Sequence, residues 1–261
     1  SNLSKTYDNG VKALDDVTLT IPTGLFGLLG PNGAGKSTLM RTIATLQSPD
    51  QGRVQLGELD VLVQREEVRK VLGYLPQEFG VYPKVTAEVM LRHLAVLKGV
   101  AAGEVSDVVE RLLTQTNLWD ARKRKLGTFS GGMRQRFGIA QALIGQPRLI
   151  IVDEPTAGLD PTERLGFLNL LSEIGEEVIV ILSTHIVDDV SELCRQMAMI
   201  SNGRVLLTGD PADAIAALRG QVWSRAVARA ELPALEQQME VISSHLVAGQ
   251  TVVHVHADAS P

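Results

Sequence analysis

The chain has one cysteine, Cys194, in 261 residues, so it cannot close a disulfide on itself, and a reducing compartment is the natural reading. No run of about 18 apolar residues occurs, which excludes a membrane-spanning helix. The most apolar stretch, 178–182, has only the length of a strand. Aromatic residues make up 4%, yet the 44% hydrophobic and 21% charged content is that of an ordinary globular chain. Positive charge is not in excess: the net charge is −5, whereas broad nucleic-acid binding needs a basic face. The expected setting is the cytoplasm, with no nucleic-acid partner. The chain opens without a methionine, inside a strand-like segment, and stops abruptly, so a fragment or processed form is expected.

What is present is a phosphate loop. Gly30, Pro31, Asn32, Gly33, Ala34, Gly35, Lys36 and Ser37 give the full G-x-x-x-x-G-K-[ST] pattern. The apolar run 25–29 reads as a buried strand before it, and a helical pattern begins at Thr38, which is the context the pattern needs. Gly33 and Gly35 let the backbone close around an anion with N–H groups pointing inward at a helix's positive end. Lys36 then reaches the terminal phosphates, and the Ser37 hydroxyl is placed to hold Mg²⁺. A nucleoside triphosphate is the expected ligand.

Short apolar runs alternate with helical patterns, the mark of an α/β protein with a mostly parallel sheet. Strands are expected near 16–21, 25–29, 53–56, 72–75, 148–153, 178–182, 197–201 and 204–208. The first two and the last two are candidates for antiparallel pairing. Asn202-Gly203 supplies a two-residue hairpin turn between the last two. Between about 86 and 145 only helices are expected, over 86–98, 104–115 and 131–144, with Thr86 as a cap and Gly99 as a stop. This splits the chain into a main domain, 1–218, with a helical insert, and an accessory α+β extension, 219–261, possessing a late strand at 251–256.

The run 149–152 is an apolar strand ending in Asp153 and Glu154. Asp153 is expected beside Mg²⁺, and Glu154 can polarise the attacking water, help worth on the order of 10²–10⁴ in rate. Ser130 can cap a helix that starts at Gly131, and Gly131 with Gly132 leaves bare N–H groups for an anion. One chain thus carries two anion sites separated by a helical insert.

Phe129-Ser130-Gly131-Gly132-Met133-Arg134-Gln135-Arg136 resembles the signature of ATP-binding cassette (ABC) transporter ATPases. The likeness covers about 1–218 and implies a phosphate-loop NTPase core with an antiparallel β subdomain. It implies that two copies, identical or closely related, stack head to tail, each signature meeting the γ-phosphate on the other's phosphate loop. By the same resemblance Gln77 is the Q-loop glutamine near Mg²⁺, His185 the switch histidine on the γ-phosphate, and Asp160 part of the D-loop. Tyr7 matches the aromatic residue that stacks on adenine, and ATP over GTP rests on the resemblance alone. Phe129 and Met133 depart from the commoner Leu and Gln, and the Gly-Gly-Met-Arg-Gln-Arg form is similar to the exporter branch for drugs, antibiotics and polysaccharides. The implied protein is an ATP-hydrolysing subunit on the inner face of the cell membrane, driving a separate integral membrane permease. The rival is a soluble ABC ATPase of translation or DNA repair, families that carry two cassettes or a long coiled coil.

Three features stand apart. Arg122-Lys123-Arg124-Lys125 reads as a solvated basic face. His245, His254 and His256, with Asp258, invite a metal site that no Cys or carboxylate cluster supports. Cys194 reads as a small core residue, and the extension after 218 as regulatory or dimer-stabilising.

Overall fold

The computed structural model describes residues 1–228 and 230–257. They fall into two compact units, Ser1–Asp210 and Pro211–Pro261, so the division comes earlier than residue 218. In the first unit β1 (Leu3–Thr6) pairs antiparallel with β2 (Lys12–Val17). β3 (Gly24–Leu29) then enters the central sheet and α1 (Lys36–Ile43) leaves it. A two-residue ladder of β4 (Gln55–Leu56) and β5 (Leu59–Asp60) precedes α2 (Arg65–Lys70) and β6 (Leu72–Leu75).

The helical insert follows as α3 (Ala87–Leu97), α4 (Val105–Gln115) and α5 (Gly131–Ala142), with no strand between them. Thr86 caps α3 through the N–H of Val89, and Gly99 has φ 84° just beyond its end. The insert closes on its own core, in which Leu91, Leu113, Leu118, Leu126 and Phe137 are fully buried. The rings of Phe129 and Phe137 meet edge to face, 6.3 Å apart.

The chain returns to the sheet through β7 (Leu149–Asp153), α6 (Pro161–Ile174), β8 (Ile179–Thr184), α7 (Val187–Leu193), β9 (Gln196–Ser201) and β10 (Arg204–Gly209). Strand order in this six-stranded sheet is β10-β9-β3-β8-β7-β6. All neighbours are parallel except the β9–β10 hairpin, where Asn202 and Gly203 both take positive φ as a tight primed turn requires. Every residue of β7 is buried, which is why it reads as an unbroken apolar run: helices cover both faces of a parallel sheet.

One expected pairing is overturned. The strand read at 16–21 ends at Val17 and pairs with β1, not with β3. Asp16 has φ 57°, outside strand geometry, and the Thr18 hydroxyl accepts the N–H of Asn2. Leu19 and Ile21 still pack on the core, so the alternation recorded burial without a ladder.

The second unit comprises α8 (Pro211–Ala217), β11 (Val222–Val227), α9 (Leu232–Gln238), β12 (Glu240–Val247) and β13 (Gln250–His256), with the strands antiparallel in the order β11-β13-β12. Val253 and Val255 form its buried face. His245 stacks on His254 at 5.2 Å, and His256 Nδ1 lies 3.2 Å from Glu240 Oε2. Among the described residues no group of three or more His, Cys, Asp or Glu is placed to hold a metal, and Asp258 lies outside them.

Candidate active site

The loop 30–37 joins β3 to α1, and its conformation follows from Gly35. That residue has φ 107°, and a Cβ there would strike the carbonyl oxygen of Ala13. No side chain caps α1, so its first N–H groups are left for an anion. Lys36, only 6% exposed, donates from Nζ to the carbonyls of Gly30 at 2.6 Å and Pro31 at 3.2 Å, and lies 3.6 Å from Glu154 Oε1. The loop therefore holds its cation inside before any phosphate arrives.

Parallel pairing of β7 with β8, and of β8 with β3, sets the end of β7 beside this loop. The Ser37 hydroxyl donates to Asp153 Oδ2 at 3.3 Å. Burial pushes the Asp153 carboxyl above the ordinary range, the hydroxyls of Ser183 and Ser37 oppose that, Glu154 adds to it, and Lys36 opposes it. Glu154 is buried with φ 48°, a left-handed conformation unusual for a non-glycine residue. Its Oε2 is 2.7 Å from His185 Nδ1, while its buried Oε1 has no hydrogen-bond partner. An acceptor without a donor, in a polar pocket, is suited to take a water or an ion.

A cleft of about 260 Å³ is lined by Tyr7, residues 31–38, Gln77 and Glu154, together with Val11 and Ala13. The Tyr7 hydroxyl lies 3.1 Å from Thr38 Oγ1 and donates to Gln47 Oε1 at 3.3 Å. Gln47 in turn donates to the carbonyl of Thr38 at 2.8 Å, so it fixes both sides of this corner. Nothing in the sequence around Gln47 distinguishes it.

Ser130, Gly131, Gly132 and Asp160 do not line that cleft. Ser130 caps α5 by accepting from Met133 N, and Asp160 caps α6 by accepting from Glu163 N at 2.8 Å. The Glu163 carboxylate accepts from Ser130 Oγ at 2.7 Å and from Gly132 N at 3.2 Å. Sequence reasoning missed this residue, although Asp160-x-x-Glu163 has capping-box spacing. It also missed the fully buried Asp189, which accepts from Thr156 Oγ1 at 2.6 Å and Arg164 Nε at 2.7 Å. That network joins the segment after β7 to α6 and α7.

The basic run is more structured than a solvated face. Arg122 lies over the Trp119 ring at 4.1 Å, and Arg124 lies over the Phe129 ring at 5.9 Å while donating to the Thr128 carbonyl at 3.0 Å. Lys123 and Lys125 are exposed as expected.

The protein family described as ABC transporter matches residues 14–157. The chain is 39% identical over 202 residues to the ABC transporter ATP-binding protein NatA of Bacillus subtilis (strain 168), covering 76% of this chain and 82% of that protein. It is 33% identical over 263 residues to the daunorubicin/doxorubicin resistance ATP-binding protein DrrA of Streptomyces peucetius, covering 100% and 77%. It is also 34% identical over 261 residues to the methionine import ATP-binding protein MetN of Bordetella pertussis (strain Tohama I), covering 93% and 72%. An ATP-binding cassette solved as a dimer in a post-hydrolysis state with ADP and Pi superposes with a TM-score of 0.72 at 26% identity, covering 81% of this chain and 97% of that one.

Proposed function

This chain belongs to the ABC transporter family as an ATP-binding subunit that hydrolyses ATP, and from that premise we propose that it works as half of a head-to-tail pair driving export through a separate membrane permease. The observation that carries the pairing is the presence of two anion-binding donor sets on one chain with only one of them in the cleft. A second copy, or a close relative, supplies the missing signature. Export draws support from the Gly-Gly-Met-Arg-Gln-Arg form and from the likeness to DrrA, while the likeness to MetN makes direction the feature most in need of testing. The permease would hold the subunit at the inner face of the membrane, consistent with the finding that no described helix is long and apolar enough to cross one.

The proposed roles draw on the family resemblance and on the contacts described above. Gly33 and Gly35 with the N–H groups of α1 bind the phosphates, and Lys36 exchanges its carbonyl partners for phosphate oxygens. Tyr7 offers a face to adenine. Glu154 draws a proton from the attacking water, and His185, fixed by Nδ1 to Glu154, turns its other ring nitrogen to the γ-phosphate. Ser37, Asp153 and Gln77 fit Mg²⁺: the Ser37 hydroxyl meets the buried Asp153 carboxylate at 3.3 Å, and Ser37 and Gln77 line the cleft. The ion neutralises phosphate charge when bound.

The test is the Glu154→Gln variant. It is expected to bind MgATP, to hydrolyse it on the order of 10²–10⁴-fold more slowly and to accumulate dimers. Normal turnover would remove Glu154 as the base. Ser130→Arg should spare nucleotide binding and abolish cooperative turnover, and unchanged turnover would remove the signature from the site. Co-purification with an integral membrane protein supports transport, and vesicles reconstituted with that partner report direction.

A further inference from the structure

The donors expected to meet a partner's γ-phosphate already hold an anion. Glu163 Oε1 takes the Ser130 hydroxyl at 2.7 Å, and Oε2 takes the Gly132 N–H at 3.2 Å, at the positive end of α5. The fit is close: a Cβ on Gly132 would come within 2.6 Å of Glu163 Cδ. A side chain at 132 would therefore push the Glu163 carboxylate off these donors, so glycine here keeps the contact within the chain open. Asp160 fixes the base of Glu163 by accepting its backbone N–H at 2.8 Å, so the contact links Asp160 to the signature.

We propose that Glu163 is a built-in stand-in for phosphate, which satisfies the signature in the separated chain and must be displaced when two chains close on ATP. The inference rests on the head-to-tail reading above. A carboxylate and a phosphate cannot share the same two donors, because like charges at contact distance repel and the donors saturate. Closure therefore has to overcome an internal competitor. This sets a threshold of nucleotide below which the pair stays apart, and it protects the exposed signature from free anions.

The experiment compares Glu154→Gln with Glu154→Gln/Glu163→Gln, reading the dimer by sedimentation across a MgATP titration and the thermal midpoint without nucleotide. Removing the charge should lower the ATP needed for half-maximal dimer on the order of three- to tenfold, while the thermal midpoint of the separated chain falls because a charge-assisted contact is weakened. The opposite signs are the signature of a competitor. Glu163→Ala, which deletes both acceptors, should move both readouts further in the same directions. If the thermal midpoint falls and the ATP requirement stays the same or rises, Glu163 merely braces the helix end, and the inference is overturned. If the Glu154→Gln parent forms no dimer with MgATP, the head-to-tail reading fails first and the inference falls with it.

Discussion

Glu154 shows how one residue can serve two demands. Its left-handed backbone turns the carboxylate toward Lys36 and His185, leaving one buried oxygen without a donor. The strain costs stability, and it sits where the attacking water is expected. Cys194 is the opposite case, a buried thiol with no chemistry to perform. Burial, with Asp189 nearby, pushes it from an ordinary 9.0 up to about 12. At about pH 8 it is protonated in both folded and unfolded states and contributes nothing to the pH dependence. Above its unfolded value the unfolded chain loses that proton first, so stability falls as pH rises, until the native thiol also ionises. Between about pH 8 and about pH 10 the native chain should lose about 1.4 kcal/mol that Cys194→Ala does not lose, measured by urea unfolding. Equal losses would mean that the thiol reaches solvent.

At the scale of elements, the helical insert carries the signature on a separately packed core. Phe137 in α5 is fully buried and meets Phe129, the residue before Ser130. Phe137→Ala should cost about 3–5 kcal/mol in unfolding free energy. Because this core lies under the signature and not under the phosphate loop, the variant should lose cooperative ATP turnover while retaining nucleotide binding. Equal loss of both would mean that the insert and the central sheet fold as one unit. The insert was legible from the sequence, since helical periodicity, Thr86 and Gly99 mark its first helix from both ends. The β1–β2 pair was not, because Leu19 and Ile21 alternate like a strand while the ladder, irregular at Asp16, ends at Val17.

For the whole molecule, all six strands of the central sheet and every residue of the cleft belong to the unit ending at Asp210. A chain truncated after Asp210 is expected to melt cooperatively and bind ATP as the full chain does, checked by circular dichroism and nucleotide titration. Loss of folding would show that 211–261 is needed to complete the core. If the truncated chain dimerises on ATP as readily as the full one, a dimer-stabilising role for 211–261 is set aside.

The sequence by itself determined the chemistry: a phosphate loop, a strand ending in two acids and a capped Ser-Gly-Gly helix. Local rules dictate these features, because glycine conformations, helix caps and apolar periods act over a few residues. Only the tertiary structure decided which groups meet. Parallel strand order brings Ser37 to Asp153 and Glu154 to His185, and the packing of α6 against α5 brings Glu163 to the signature. Such encounters depend on contacts between residues far apart in the chain, for which spacing along the sequence carries no signal.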